Sequence, residues 1–150
     1  MDWKTEIETG PMAAELAPFV TAGNDGQVAA ILNDKTRGST KLQHRLLSAR
    51  GVLADYAGGP TAAAAVLDKL ESAATTVPAI KWVMTFLRAD GIDIGHPATQ
   101  GMLDQLAAGG VLTAAEAANL KALGIVPASR AEQVSGRDVT IYEIAQAMRG

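Results

Sequence analysis

Pro78–Gly91 reads PAIKWVMTFLRADG, and the way its apolar residues divide around a helix decides the fold. Ile80, Val83, Met84 and Leu87 recur at i, i+3, i+4 and i+7, while Trp82 and Phe86 stand i, i+4 on an adjoining face. Pro78 suits a first helical turn and Gly91 suits a left-handed stop, so both ends are signalled. A helix with so wide an apolar surface needs cover on several sides. The expectation is therefore a central core helix at about 78–90 with Trp82 and Phe86 inside, since buried aromatic stripes are the commoner case. The competing reading makes the two rings an exposed anchor for a partner.

Working outward, the rest of the chain is written mostly for helix. Alanine is abundant, and the apolar residues repeat at three or four rather than two. Ahead of the central segment, Gly58-Gly59-Pro60 breaks the chain, and Thr61 is expected to cap a helix over 62–74 with Val66, Leu67 and Leu70 facing inward. Behind it, Asp90-Gly-Ile-Asp-Ile-Gly-His-Pro97 reads as a connecting loop with Ile92 and Ile94 under the core. Asp90, Asp93 and His96 fall three apart, but they lack the alternate ligands and closing glutamate of a calcium loop, so no metal site is assigned.

The C-terminal third has the clearest local grammar. A helix over 98–108 stops at Gly109-Gly110, and Thr113-Ala-Ala-Glu116 is a capping box that opens the next, together an αα-hairpin. Ser129-Arg-Ala-Glu132 and Thr140-Ile-Tyr-Glu143 announce two further helix starts. The fold class that follows is all-α: a compact multi-helix domain over 11–150, built around the central apolar helix and closed by the hairpin. Residues 1–10, with only Trp3 and Ile7 as apolar anchors, read as a flexible N-terminal arm.

Charge singles out one segment. Lys35, Arg37, Lys41, Arg45 and Arg50 are five of the 13 basic residues, and a single acid, Asp34, accompanies them. A cap at Ser39 or Thr40 would start a helix carrying Leu42, Leu46, Ala49, Leu53 and Tyr56 as its apolar stripe, with Lys41, His44 and Arg45 outside. Those five cations are the candidate partner-binding residues, for phosphates or an acidic protein; the plainer reading is a solvated face. Gly38-Ser-Thr-Lys41 is no phosphate loop, because the glycine-rich lead-in and the preceding strand are missing.

Several classes are set aside. With 150 residues, 48% of them hydrophobic, the chain can bury a real core, and it has no apolar run near the roughly 18 residues that a spanning helix needs. The charged N-terminus is unlike a signal peptide, which leads to the expectation of a soluble protein made inside the cell. Zero cysteines exclude disulfides and thiolate chemistry. His44 and His96 lie in separate segments with no nucleophile at diagnostic spacing, so no catalytic residue and no cofactor are expected. A net charge of −3 gives nucleic acid no general hold. A small DNA-binding regulator is suggested by the two capped helices of Ser129–Arg149, but the chain ends where a recognition helix would follow.

Two resemblances bear on function. MLDQLAAGGVLTAAEAANLKALG resembles the short helical hairpins that serve as oligomerisation modules in many bacterial proteins. Over residues 46–150, LLSARGVLADYAGGP, KWVMTFL, GIDIGHPATQGMLDQLAAGGVLTAAEAANLKALG and PASRAEQ, in that order, resemble small proteins encoded among the structural genes of tailed bacteriophages and prophages. That resemblance implies a non-enzymatic structural or adaptor component of the virion. It would contact other phage structural proteins, form a homo-oligomer, and reside in the host cytoplasm before assembly. The alternative is a soluble phage-encoded inhibitor of a host protein or signalling molecule, with the basic face as its recognition surface.

Overall fold

Seven of the ten helix starts coincide with a side chain that accepts from a free amide of the first turn. The computed structural model describes residues 2–150, among which are ten helices and four short strands. Side chains of Asp2, Asn24 and Ser48 accept backbone N–H bonds at the starts of α1 (Trp3–Thr9), α3 (Asp25–Leu32) and α4 (Ala49–Asp55). His96 does the same for α7 (Pro97–Ala108). Full capping boxes open α8 (Ala114–Ala122), α9 (Arg130–Ser135) and α10 (Ile141–Arg149), at Thr113–Glu116, Ser129–Glu132 and Thr140–Glu143. α5 (Gly59–Ala74) and α6 (Pro78–Arg88) instead carry proline in the first turn, where its missing N–H costs nothing. α2 (Ala13–Thr21) follows Met12 without a side-chain cap and holds Pro18 in its interior. The fold is thus mostly all-α.

The chain divides into two compact units where the sequence suggests one domain. The first holds the chain up to Lys41 together with Pro127–Gly150. Its core joins Trp3 and Ile7 of α1, Leu16 of α2, four residues of α3, and Ala131, Val139 and Ile144 from the C-terminal end. Residues 3–9 are therefore not the loose arm that their polarity suggests. Trp3 is 8% exposed and Ile7 1% exposed. Buried Glu6 takes a forked pair of bonds from Arg130, Nε to Oε1 at 2.5 Å and Nη2 to Oε2 at 3.0 Å. The ionic partner of α1, and part of its apolar cover in Ala131, Val139 and Ile144, lie more than 100 residues away in sequence. Asn33 ties the end of α3 to the start of α10, donating to the Val139 carbonyl at 2.8 Å and accepting from its amide at 2.9 Å.

The second unit is Leu42–Val126. Its core packs Val66 and Leu70 of α5, Ile80, Met84 and Leu87 of α6, Leu103 and Leu106 of α7, and Leu112, Ala117 and Leu120 of the hairpin. The α7–α8 hairpin forms as the sequence predicts, with Gly110 at φ +78° in its turn. Around Asn33–Tyr56 the structure differs from expectation. Instead of one amphipathic helix from Ser39, the chain forms β1 (Thr40–Leu42), β2 (Leu46–Leu47) and then α4, capped by Ser48 rather than by Ser39 or Thr40. β1 pairs with β4 (Ile125–Pro127), and β2 pairs antiparallel with β3 (Ile92–Asp93), Leu46 opposite Asp93 and Leu47 opposite Ile92. A smaller departure is at α5, which starts at Gly59 (φ +85°) and not at a Thr61 cap.

Close backbone approach explains why this segment leaves the helix. A Cβ at Gly95 would lie 1.8 Å from the Gln43 carbonyl oxygen, and one at Gly124 would lie 2.6 Å from that of Ile94. Two positions without side chains thus let three segments meet main chain to main chain, and the Gln43 amide donates to the Gly124 carbonyl at 2.9 Å. Buried Gln100 completes the junction by donating to the carbonyls of Ile94 at 2.6 Å and Lys121 at 3.2 Å. Gly95→Ala should therefore cost about 1–3 kcal/mol through forced backbone displacement, read as a lower urea midpoint. An unchanged midpoint would show that the junction is not so tight.

Candidate partner-binding surface

The functional question turns on how α6 shares out its side chains. Ile80, Met84 and Leu87 are buried, and Val83 is half-buried beside them. At 3.6 residues per turn, Trp82 and Phe86 stand roughly 130–170° round the helix from the centre of that buried face. Their expected place in the core is thus overturned: Trp82 is 60% exposed and Phe86 49% exposed. The rings lean on each other with centroids 6.5 Å apart and planes at 32°, within the range of a favourable aromatic pair. Pro78, Ala79 and Ala89 are exposed and fall on the same side of α6, so the outward stripe is apolar along the helix. Cations border it: Arg88 is paired with Glu71, whereas Lys81 has no carboxylate within ion-pair distance among the described residues. No acid occurs on α6 itself.

The five basic residues singled out by sequence do not share a helix face. In the first unit, the Nζ atoms of Lys35 and Lys41 both reach Oε1 of Glu132, at 3.0 and 2.9 Å. Arg37 bridges Glu15 and Asp34. In the second unit, Arg45 pairs with Asp55 and donates to the Leu123 carbonyl at 3.2 Å. Exposed Arg50, on α4, has no carboxylate within ion-pair distance among the described residues. The i, i+4 relation expected for Lys41 and Arg45 is lost, because one stands on β1 and the other on the turn into β2. Four of the five cations are thus already paired with carboxylates of the chain, Lys35 and Lys41 sharing one. What the structure does bring together is Lys35 and Lys41 on one carboxylate.

Glu132 carries the strongest electrostatic signature of that group. The Lys41 ammonium, the Ser129 amide and the Lys35 ammonium together hold its carboxyl at about 2, below its usual 4.5. Glu143 is likewise held at about 2 by the Arg137 guanidinium and the amide and hydroxyl of Thr140. Both are also the acids of capping boxes, so each shift joins an ion pair to a helix start.

The remaining polar cluster lies in the second unit. Asp93 accepts from the Arg45 amide at 3.1 Å and from the Gly95 amide at 3.1 Å, and it contacts His44 Nδ1 at 2.5 Å. These partners, His44 foremost, hold Asp93 below the ordinary carboxylate range. His96 Nδ1 is engaged by the Ala98 amide at 3.1 Å. Among the described residues, no group of three or more acidic or histidine side chains is arranged to hold a metal ion. Nor is any helix among them long and apolar enough to cross a membrane. The cluster orders the β2–β3 ribbon; Leu46, Ile141 and Tyr142 are exposed as well, and the α6 stripe is taken as the candidate surface because it carries two aromatic rings in contact. The sequence shows the two faces of α6, aliphatic residues on one side and the aromatics with Pro78, Ala79 and Ala89 on the other, but not which of them is buried.

No known family model, curated protein or solved structure matches this chain.

Two outcomes test this surface and its surroundings. Trp82→Ala should lower stability by no more than about 1 kcal/mol, as at other exposed sites, whereas Ile80→Ala should cost about 2–5 kcal/mol. Denaturant titrations giving the reverse order would return the tryptophan to the core.

Acid titration is the second. Because the folded values of Glu132 and Glu143 lie below their unfolded ones, the stability they supply is present above about pH 4.5 and is lost as pH falls toward about 2. Glu132→Gln should lower the thermal midpoint at neutral pH and flatten its decline between those limits. Parallel curves for variant and wild type would contradict the assignment.

Proposed function

We propose that the protein is a non-enzymatic structural or adaptor component of a tailed-phage particle, working through protein–protein contact. The observation that carries the contact role is the solvent-facing Trp82–Phe86 pair. Large aromatic side chains are the residues most enriched where interfaces gain their energy, and leaving two of them side by side in water is unfavourable unless something covers them. The particle assignment draws on the resemblance of residues 46–150 to proteins of phage structural gene modules. Four of the five basic residues are occupied by acids of the same chain, which weakens the inhibitor alternative that depended on them.

In this role α6 of the second unit presents the contact. Neighbouring phage structural proteins are the expected partners at α6, and a homo-oligomer would form through another surface. The test is incorporation into particles. Wild-type protein should be recovered from purified particles at a fixed copy number, and the Trp82→Ala/Phe86→Ala double variant should be depleted while folding normally by circular dichroism. Wild-type protein absent from particles and confined to infected-cell cytosol would overturn the proposal.

A further inference from the structure

Resting on the reading of α6 as a contact face, we propose that its occupant is an amphipathic helix of a partner protein, carrying carboxylates along one edge of its apolar face. The exposed side of α6 is a straight stripe of Pro78, Ala79, Trp82, Phe86 and Ala89, about three turns long, which matches the apolar stripe of another helix better than a compact pocket filler. Charge then selects the partner. α6 holds two cations, Lys81 and Arg88, and no anion. They stand seven residues apart, on the same flank of the stripe. Arg88 is engaged with Glu71, while Lys81 has no carboxylate partner among the described residues. A helix laid along the stripe would place its edge residues beside Lys81, where a carboxylate is attracted and an ammonium is repelled.

The same geometry disfavours a second copy of this chain. Two α6 helices packed antiparallel through their stripes, related by a two-fold axis, would set Lys81 of each beside Arg88 of the other. Four cations would then share the two Glu71 carboxylates. A partner bearing acids on that edge removes the conflict and neutralises Lys81.

The experiment uses the full chain and two synthetic helical peptides with an identical apolar face, one with glutamates and one with lysines along a single edge. Trp3 is buried, so binding is followed through the fluorescence of exposed Trp82. The glutamate peptide should shift the emission and bind at least about tenfold more tightly than the lysine peptide, with affinity falling as salt is added. Lys81→Glu should reverse the preference, and Phe86→Ala should weaken both peptides while the fold is retained. Equal binding of the two peptides, or binding of neither, would overturn the proposal. So would concentration-dependent dimerisation in sedimentation that Trp82→Ala abolishes, since the occupant would then be a second copy. Particle incorporation separates this inference from the function it rests on: loss of charge preference with continued incorporation sinks the acidic helix alone. Peptide recognition by a protein absent from particles sinks the phage assignment alone.

Discussion

Everything in the second unit depends on one face of α6 being removed from water. Ile80, Met84 and Leu87 meet Val66 and Leu70 from α5 and the leucines of the α7–α8 hairpin. A fully buried side chain of this kind contributes on the order of 1.5–3 kcal/mol. With that face turned inward, Trp82 and Phe86 stand on the far side of the same cylinder, where they are exposed. Their exposure, in a chain of 150 residues with only two tryptophans and two phenylalanines, is the observation on which the proposed contact rests.

The glycines at the β2–β3 junction show a second constraint with the same character. Helical continuation from Thr40 would satisfy the amides of Leu42–Leu47 locally. The folded chain instead engages the Gln43 amide with Gly124, uses the Arg45 amide and carbonyl to meet Asp93 and Ile94, and sets Leu47 against Ile92. Gly95 and Gly124 make this affordable by letting carbonyl oxygens approach where any Cβ would collide. Polar satisfaction is thus kept while the chain turns sharply enough to restart at Ser48.

How much could be read beforehand follows from the range of the forces involved. The three capping boxes, the hairpin turn at Gly110 and the proline start of α6 were legible because each is settled within about four residues. The ribbon partners of Leu46 and Leu47 lie more than 40 residues downstream, and a short stretch such as LQHRLL fits either period. The N-terminal segment misleads for a related reason: Trp3 and Ile7 are visible as anchors, but the Arg130 that engages Glu6 and the Ala131, Val139 and Ile144 that help to cover them come from the other end of the chain. The basic run looked like a surface because sequence shows cations but not the distant acids that meet them, Glu132 above all. On α6, both faces are apolar, so periodicity located the helix but could not say which face would be buried.

The proposed role requires Trp82 to be bare in the free protein and covered in the particle. Acrylamide quenching of tryptophan fluorescence in a Trp3→Phe variant, which leaves Trp82 as the sole emitter, measures this directly in free protein and in purified particles. Ready quenching when free and marked protection within the particle is the expected result. Protection already present in the free protein would place the ring in a core, and equal quenching in both states would mean that the α6 face meets no partner there.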